Sequence, residues 1–300
     1  MRSIDLPLLL SSSRAGARDL AVLSGALSLA AERTLPRVPA WLIGPVAQAV
    51  GQIAYLAAPR ARRAVEANLA VISPERTDRG RVARAVFVEQ TRNYLDVFRI
   101  PLTDPEEIRS RVSTIGWENF ERAAASGEGV ICASAHLGPI SLVGQILVAR
   151  GYRVTMPLET ERDDMQRAIN RARRGLGLEF IPIESALGLR RVLREGKVLG
   201  FLADRAVTGT GERVPFFGRE ALLPSAHVAF AMRSGAALVP AFAHRDGNVV
   251  SASFEPPLEI PRTGDRDADL RQGVRRWAEV LERYVRRAPE QWAVFEKVWE

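Results

Sequence analysis

Between residues 130 and 254 short apolar runs of strand length alternate with segments of helical length, and this alternation constrains the fold more than any other feature. Val130 to Ala135 is rich in β-formers, and Ile140 to Arg150 has the length of a helix. Tyr152 to Pro157 reads as a strand, Asp163 to Arg174 as a polar helix capped by Thr160, and Glu179 to Ile183 as another strand. A helix then opens at Ser185. Lys197 to Ala203 is the next strand, Ser225 to Ser234 a helix, and Ala236 to Phe242 a strand paired with Val249 to Phe254. Helices are also expected over 75–99 and 117–127, with a long closing helix from Asp267 to Arg287. Strands that each feed a helix predict an α/β chain with an open, mainly parallel central sheet flanked by helices. Loops at the carboxyl ends of such strands converge on a crevice, where chemistry collects. Two places satisfy that rule: His136 directly follows one strand, and Asp204 with Arg205 follows another.

The first 60 residues differ in character. No charged residue occurs from Val38 to Pro59, nearly the length that crosses the hydrocarbon of a bilayer as a helix. Pro39, Pro45, Gln48 and Gln52 weaken that signal, while Arg60, Arg62 and Arg63 close the stretch with positive charge, as at a cytoplasmic membrane face. The start of the chain lacks the long apolar region and small-residue cleavage pattern of a secretory signal. Residues 1–60 therefore read as membrane-associating helices and 61–300 as the α/β domain. A peripheral helical hairpin formed with residues 19–33, a single spanning segment and a buried helix pair all fit these facts, the first two at the cytoplasmic face of the membrane.

Charge and motifs narrow the function. The formal net charge is +7, which favours anionic partners such as a membrane surface, and of the 42 basic residues only Lys197 and Lys297 are lysines. That arginine bias runs along the whole chain without the aromatic interleaving of a nucleic-acid module, so nucleic acid is not an expected partner. A single cysteine, Cys132, excludes an intrachain disulfide framework and a cysteine-rich zinc site. No phosphate-binding P-loop, dinucleotide fingerprint, zinc-protease motif or nucleophile elbow is present, and no metal is called for. With three histidines in the chain, a histidine base has few candidates. His227 falls within an expected helix and His244 at a strand end, whereas His136 is followed by Gly138, where a substrate can approach the backbone.

The stretch from Gly116 to Gly138 resembles the entry to the active site of bacterial lysophospholipid acyltransferases. Phe201 to Arg205, Val214 to Gly218, Ser234 to Phe242 and Pro289 to Trp292 resemble later blocks in the same order. Within that superfamily the chain is most similar to the branch of lipid A late acyltransferases and phosphatidylinositol mannoside acyltransferases. The resemblance covers roughly residues 60–295. It implies transfer of a fatty acyl group from a thioester, acyl-CoA or acyl carrier protein, to a hydroxyl of a membrane glycolipid or lysolipid, with no cofactor beyond that co-substrate.

The family signature is a histidine followed five positions later by an acid; here His136 is followed by Ser141. In the family the carboxylate orients the imidazole, as aspartate does beside histidine in a serine hydrolase. Serine supplies no charge, which leaves three alternatives. His136 works with a carboxylate from elsewhere, such as Glu159, Asp204 or Glu212; or the protein is a catalytically silent lipid-binding paralogue; or Ser141 itself is a nucleophile. Asp204 and Arg205 are expected to meet a headgroup or cofactor phosphate, Arg173 to do the same from the helix before the Gly175 turn, and Phe216 and Phe217 to line an acyl-chain tunnel.

Overall fold

The computed structural model describes residues 32–158, 161, 163–206 and 209–299. Among these the order is α1 (Ala40–Ala57), α2 (Pro59–Ile72), α3 (Arg79–Arg99), α4 (Pro105–Arg111), β1 (Val112–Ile115), α5 (Trp117–Ala124), β2 (Val130–Ser134), α6 (Ile140–Ala149) and β3 (Val154–Leu158). There follow α7 (Asp164–Arg173), β4 (Glu179–Pro182), α8 (Ala186–Arg194), β5 (Val198–Leu202), β6 (Glu212–Phe216), β7 (Arg219–Leu223), α9 (Ala226–Ser234), β8 (Ala237–Asp246), β9 (Val249–Phe254) and α10 (Arg266–Arg287).

Seven strands form one sheet in the order β1-β9-β8-β2-β5-β3-β4. Strands β8, β2, β5, β3 and β4 run parallel; the tight turn after Asp246 reverses β9, and β1 pairs parallel to β9. The sheet is thus mostly parallel with helices on both faces. β2 lies at its centre and is buried throughout. Because successive side chains point to opposite faces, Ile131 and Ala133 enter a core with α8, α9 and α10, while Val130 and Cys132 enter the one beneath α4 to α7. Burial pushes the Cys132 thiol up to about 12, so it stays protonated and inert.

Several boundaries differ from the sequence reading. α3 begins at Arg79, because Ser73 to Asp78 forms a turn in which Asp78 pairs with Arg76 and Arg81. α7 is capped by Asp163, whose carboxylate accepts from the Gln166 N–H at 2.7 Å; Thr160 lies outside the described residues. β8 runs past Phe242 to Asp246, so His244 sits within the strand. The β6–β7 hairpin and β1 are further additions, each four or five residues long with mixed polar content.

α1 lies on α3 through Ile43, Ala47, Gly51 and Tyr55. Gly51 permits this close approach, since a Cβ there would stand 2.6 Å from Val88 Cα. The opposite side of α1 exposes Trp41, Ile53 and Leu56, each more than three-fifths accessible. The proposed partner helix over residues 19–33 lies outside the described residues except for its last two positions.

Candidate active site

β2 ends at Ser134, and the chain leaves it through Ala135, His136 and Leu137. β5, its parallel neighbour, ends at Leu202 and delivers Ala203 and Asp204 to the same edge. The pairing places Ser134 beside Leu202, and the Ala203 N–H donates to the Ser134 carbonyl at 2.7 Å. Two residues farther along each strand, His136 and Asp204 therefore meet. His136 Nδ1 stands 2.8 Å from Asp204 Oδ1, and the His136 backbone N–H donates to Asp204 Oδ2 at 2.9 Å.

The Asp204 side chain is completely buried, whereas that of His136 is 26% accessible. Burial alone would raise the Asp204 carboxyl, but the His136 charge, the two hydrogen bonds from His136 and the nearby Arg205 hold it below the usual carboxylate range. It is therefore an anion. An ionised carboxylate accepts only, so a neutral His136 keeps its proton on Nδ1 and leaves the Nε2 lone pair free. This is the arrangement of a histidine general base.

A pocket opens beside His136, lined by Gly138, Ser141, Arg173 and, from α3, Asn93, Tyr94 and Asp96. Gly138 adopts φ +59°, and a Cβ there would stand 2.8 Å from the Ala243 carbonyl oxygen, so the loop needs glycine. The Gly138 carbonyl accepts from Asn93 Nδ2 at 2.9 Å. Asn93 in turn faces Arg245, whose buried guanidinium is neutralised by Asp96 and approached by Glu89. This network fixes one wall of the pocket from behind.

A second support comes from the segment after α10. Leu137 forms an antiparallel bridge with Trp292; the Gly138 N–H donates to the Gln291 carbonyl at 2.9 Å and the Ala293 N–H to the His136 carbonyl at 2.8 Å. The Trp292 indole Nε1–H donates to Asp204 Oδ2 at 3.0 Å. Residues 289–299 thus form a strap across the site. Asn68 of α2 clasps it, donating to the Glu296 carbonyl and accepting from the Val298 N–H.

The chain matches the family of bacterial lipid A biosynthesis acyltransferases over residues 18–300. It belongs to this family. The acyltransferase is also 26% identical over 216 residues to a phosphatidylinositol mannoside acyltransferase of Mycobacterium tuberculosis, spanning 69% of this chain and 67% of that protein. It is 25% identical over 222 residues to the protein of the same name from Mycolicibacterium smegmatis, spanning 72% and 71%. The lipid A and mannoside branch indicated by the sequence motifs is the one found.

Of the residues singled out from the acyltransferase sequence, His136 and Asp204 are brought together, and Gly138, Ser141 and Arg173 line the same pocket. Ser141 is half-buried in the first turn of α6. Burial lowers the proton affinity of the Arg173 guanidinium; its Nη1 reaches Asn170 Oδ1 at 3.4 Å, and its Nε has no partner among the described residues. Arg205 approaches Glu296 of the strap at 3.8 Å. Glu212 sits on β6 and pairs with Arg271 of α10. Phe216 is fully buried, stacked on Trp299 and edge-on to Trp292, and Phe217 turns the β6–β7 hairpin at φ +53° with its ring against Phe216. These two aromatics build the core beneath the strap. Glu159 lies outside the described residues. His227 is fully buried against Trp277, and burial drives its imidazole down to about 3, so it stays neutral. Among the described residues no three His, Cys, Asp or Glu side chains gather as a metal site.

The sequence marked Pro289 to Trp292 as a family block but not its place across the site, and it gave no reading of the Arg245 network. Glu89, Asn93 and Asp96 stand at intervals of four and three on α3, and a polar row at that spacing on a buried helix face is a signal for such a network.

Proposed function

We propose that this protein transfers a fatty acyl group from an acyl thioester, acyl-CoA or acyl carrier protein, to a hydroxyl of a membrane glycolipid or lysolipid. The observation that carries the reading is the 2.8 Å approach of Asp204 to His136 Nδ1, which leaves Nε2 as a base beside a pocket. His136 Nε2 takes the acceptor hydroxyl proton while the oxygen attacks the thioester carbonyl. Amide N–H groups in the first turn of α6 stabilise the oxyanion. Collapse expels the thiolate, which recovers a proton from the imidazolium, and the ester is released. Asp204 supplies the negative charge that stabilises that imidazolium. In this assignment Ser141 is a pocket residue, and Arg173 and Arg205 contact anionic groups of substrate. The mannoside in the relatives' name makes a mannosylated lipid the leading acceptor.

The exposed apolar side of α1, with Arg60, Arg62 and Arg63 beyond its end, suits an interfacial dock on an anionic membrane better than a span, because the other side of α1 is committed to α3. A joint Trp41→Ser, Ile53→Ser change removes two large apolar groups. It is expected to weaken co-sedimentation with anionic vesicles by at least about tenfold, since each such group contributes about 1.5–3 kcal/mol when buried. Unchanged co-sedimentation would place the dock elsewhere.

The test of the function is incubation of purified protein with palmitoyl-CoA and a membrane lipid extract, following thiol release and acylated lipid together. Stoichiometric appearance of both is expected. Lipid binding without turnover, from palmitoyl-CoA and from palmitoyl-acyl carrier protein offered in its place, would instead support the silent lipid-binding paralogue.

A further inference from the structure

We infer that Trp292 is a positioning residue for the base, its indole N–H fixing which oxygen of Asp204 faces the His136 ring. The inference rests on the reading of His136 as the base. Asp204 presents two oxygens in different surroundings. Among the described residues Oδ2 receives two donors, the His136 backbone N–H at 2.9 Å and Trp292 Nε1–H at 3.0 Å, whereas Oδ1 meets the imidazole alone at 2.8 Å. A carboxylate can rotate about its last torsion; two donors converging on one oxygen pin it. Trp292 is itself 3% accessible and held in place by the Leu137 bridge, by the Ala293 and Gly138 hydrogen bonds on either side, and by edge contact with Phe216. The donor is therefore rigid, and the Asp204 carboxylate it meets is buried.

Removing that donor has a consequence that packing alone would not produce. With one fewer hydrogen bond, the carboxylate retains more charge for the imidazolium, so His136 should hold its proton to higher pH. Among the described residues the other charged groups around the pair are Arg205 on the loop after β5, Glu296 on the strap, Asp96 on α3 with Arg245 behind it, and Arg173 on α7. None of them is altered by a change at Trp292.

The test uses Trp292→Phe, which keeps a large aromatic ring and deletes the N–H. Trp299→Phe is the control. Trp299 lies on the same strap and donates from Nε1 to the Phe216 carbonyl at 3.1 Å, a buried bond that does not involve Asp204. With three histidines in the chain, the titration of the His136 ring can be followed by NMR in the full-length protein without any turnover. Trp292→Phe is expected to displace the His136 midpoint to higher pH and to lower kcat by about 10- to 100-fold, the loss typical of one hydrogen bond to a charged group, with KM unchanged. Trp299→Phe is expected to leave both midpoint and kcat as in the wild type. An identical His136 midpoint in wild type and Trp292→Phe would overturn the inference, whether or not acyl transfer is observed. Absent transfer in the wild type would overturn the functional reading alone, because the titration is read independently.

Discussion

His136→Ala is expected to lower acyl transfer by at least about 10³-fold while leaving a folded protein, because it deletes the proton acceptor and little else. The ring is partly accessible and makes one side-chain hydrogen bond, to Asp204 Oδ1. The backbone groups of residue 136 retain their bonds to Asp204 Oδ2 and Ala293, so the crossing of strap and loop survives. Asp204 keeps both donors on Oδ2, and the cost in stability should not exceed about 1–2 kcal/mol. The measurement is initial rate against thiol release, with the thermal midpoint recorded in parallel. An undiminished rate in a folded variant would sink the assignment of the base.

Asp204→Asn should be nearly as damaging, for a different reason. Two N–H donors converge on the Oδ2 position, so the asparagine carbonyl oxygen must occupy it and the amide NH2 must turn toward His136 Nδ1. Nδ1 then has to accept, which forces the proton onto Nε2 and removes the lone pair that acts as base. The same tautomer error in a serine hydrolase costs about 10⁴-fold in turnover. A loss of that order is expected here in kcat, whereas Ser141→Ala should stay within about threefold, and Ser141→Glu should bring no gain because Nδ1 is already engaged. A large gain from Ser141→Glu would mean that the site lacks its orienting charge. The variant also has a signature in stability. The Asp204 carboxyl is held below its unfolded value, so its contribution is fully present above that value, about pH 4, and is lost as pH falls through the folded one. The stability gap between wild type and Asp204→Asn should therefore narrow only in strong acid.

The sheet was legible because its central strands are buried on both faces and so read as continuous apolar runs, β2 most clearly. The same property revealed where they end, which put His136 and Asp204 at one edge before any geometry was known. The choice of partner was not legible. Spacing along the chain points to Ser141, five positions on, while register across the sheet points to Asp204, and only the pairing of Ser134 with Leu202 decides between them. β1 and the β6–β7 hairpin carry no apolar run, since β1 is four residues long with Ser113 and Thr114 at its middle and β6 and β7 contain charged residues, so neither stands out in the sequence. Phe216 and Phe217 show a different limit: two adjacent aromatics suggest a ligand wall, and their packing on Trp292 and Trp299, residues that lie far along the chain, is not readable from the sequence.

The strap also has a bearing on when the molecule becomes competent during its synthesis. His136 and Asp204 are on adjacent strands that can pair once β5 has emerged, but the residue that bonds Asp204 Oδ2 from the other side arrives 88 positions later. A nascent chain halted between those points carries both members of the pair and an unfilled seam along Leu137 and Gly138, with two backbone groups open to the solvent. A product ending between Ala288 and Trp292 holds all seven strands and α10 but lacks the Trp292 donor to Asp204 Oδ2, so the order of the sequence makes this donor one of the last parts of the site to be supplied.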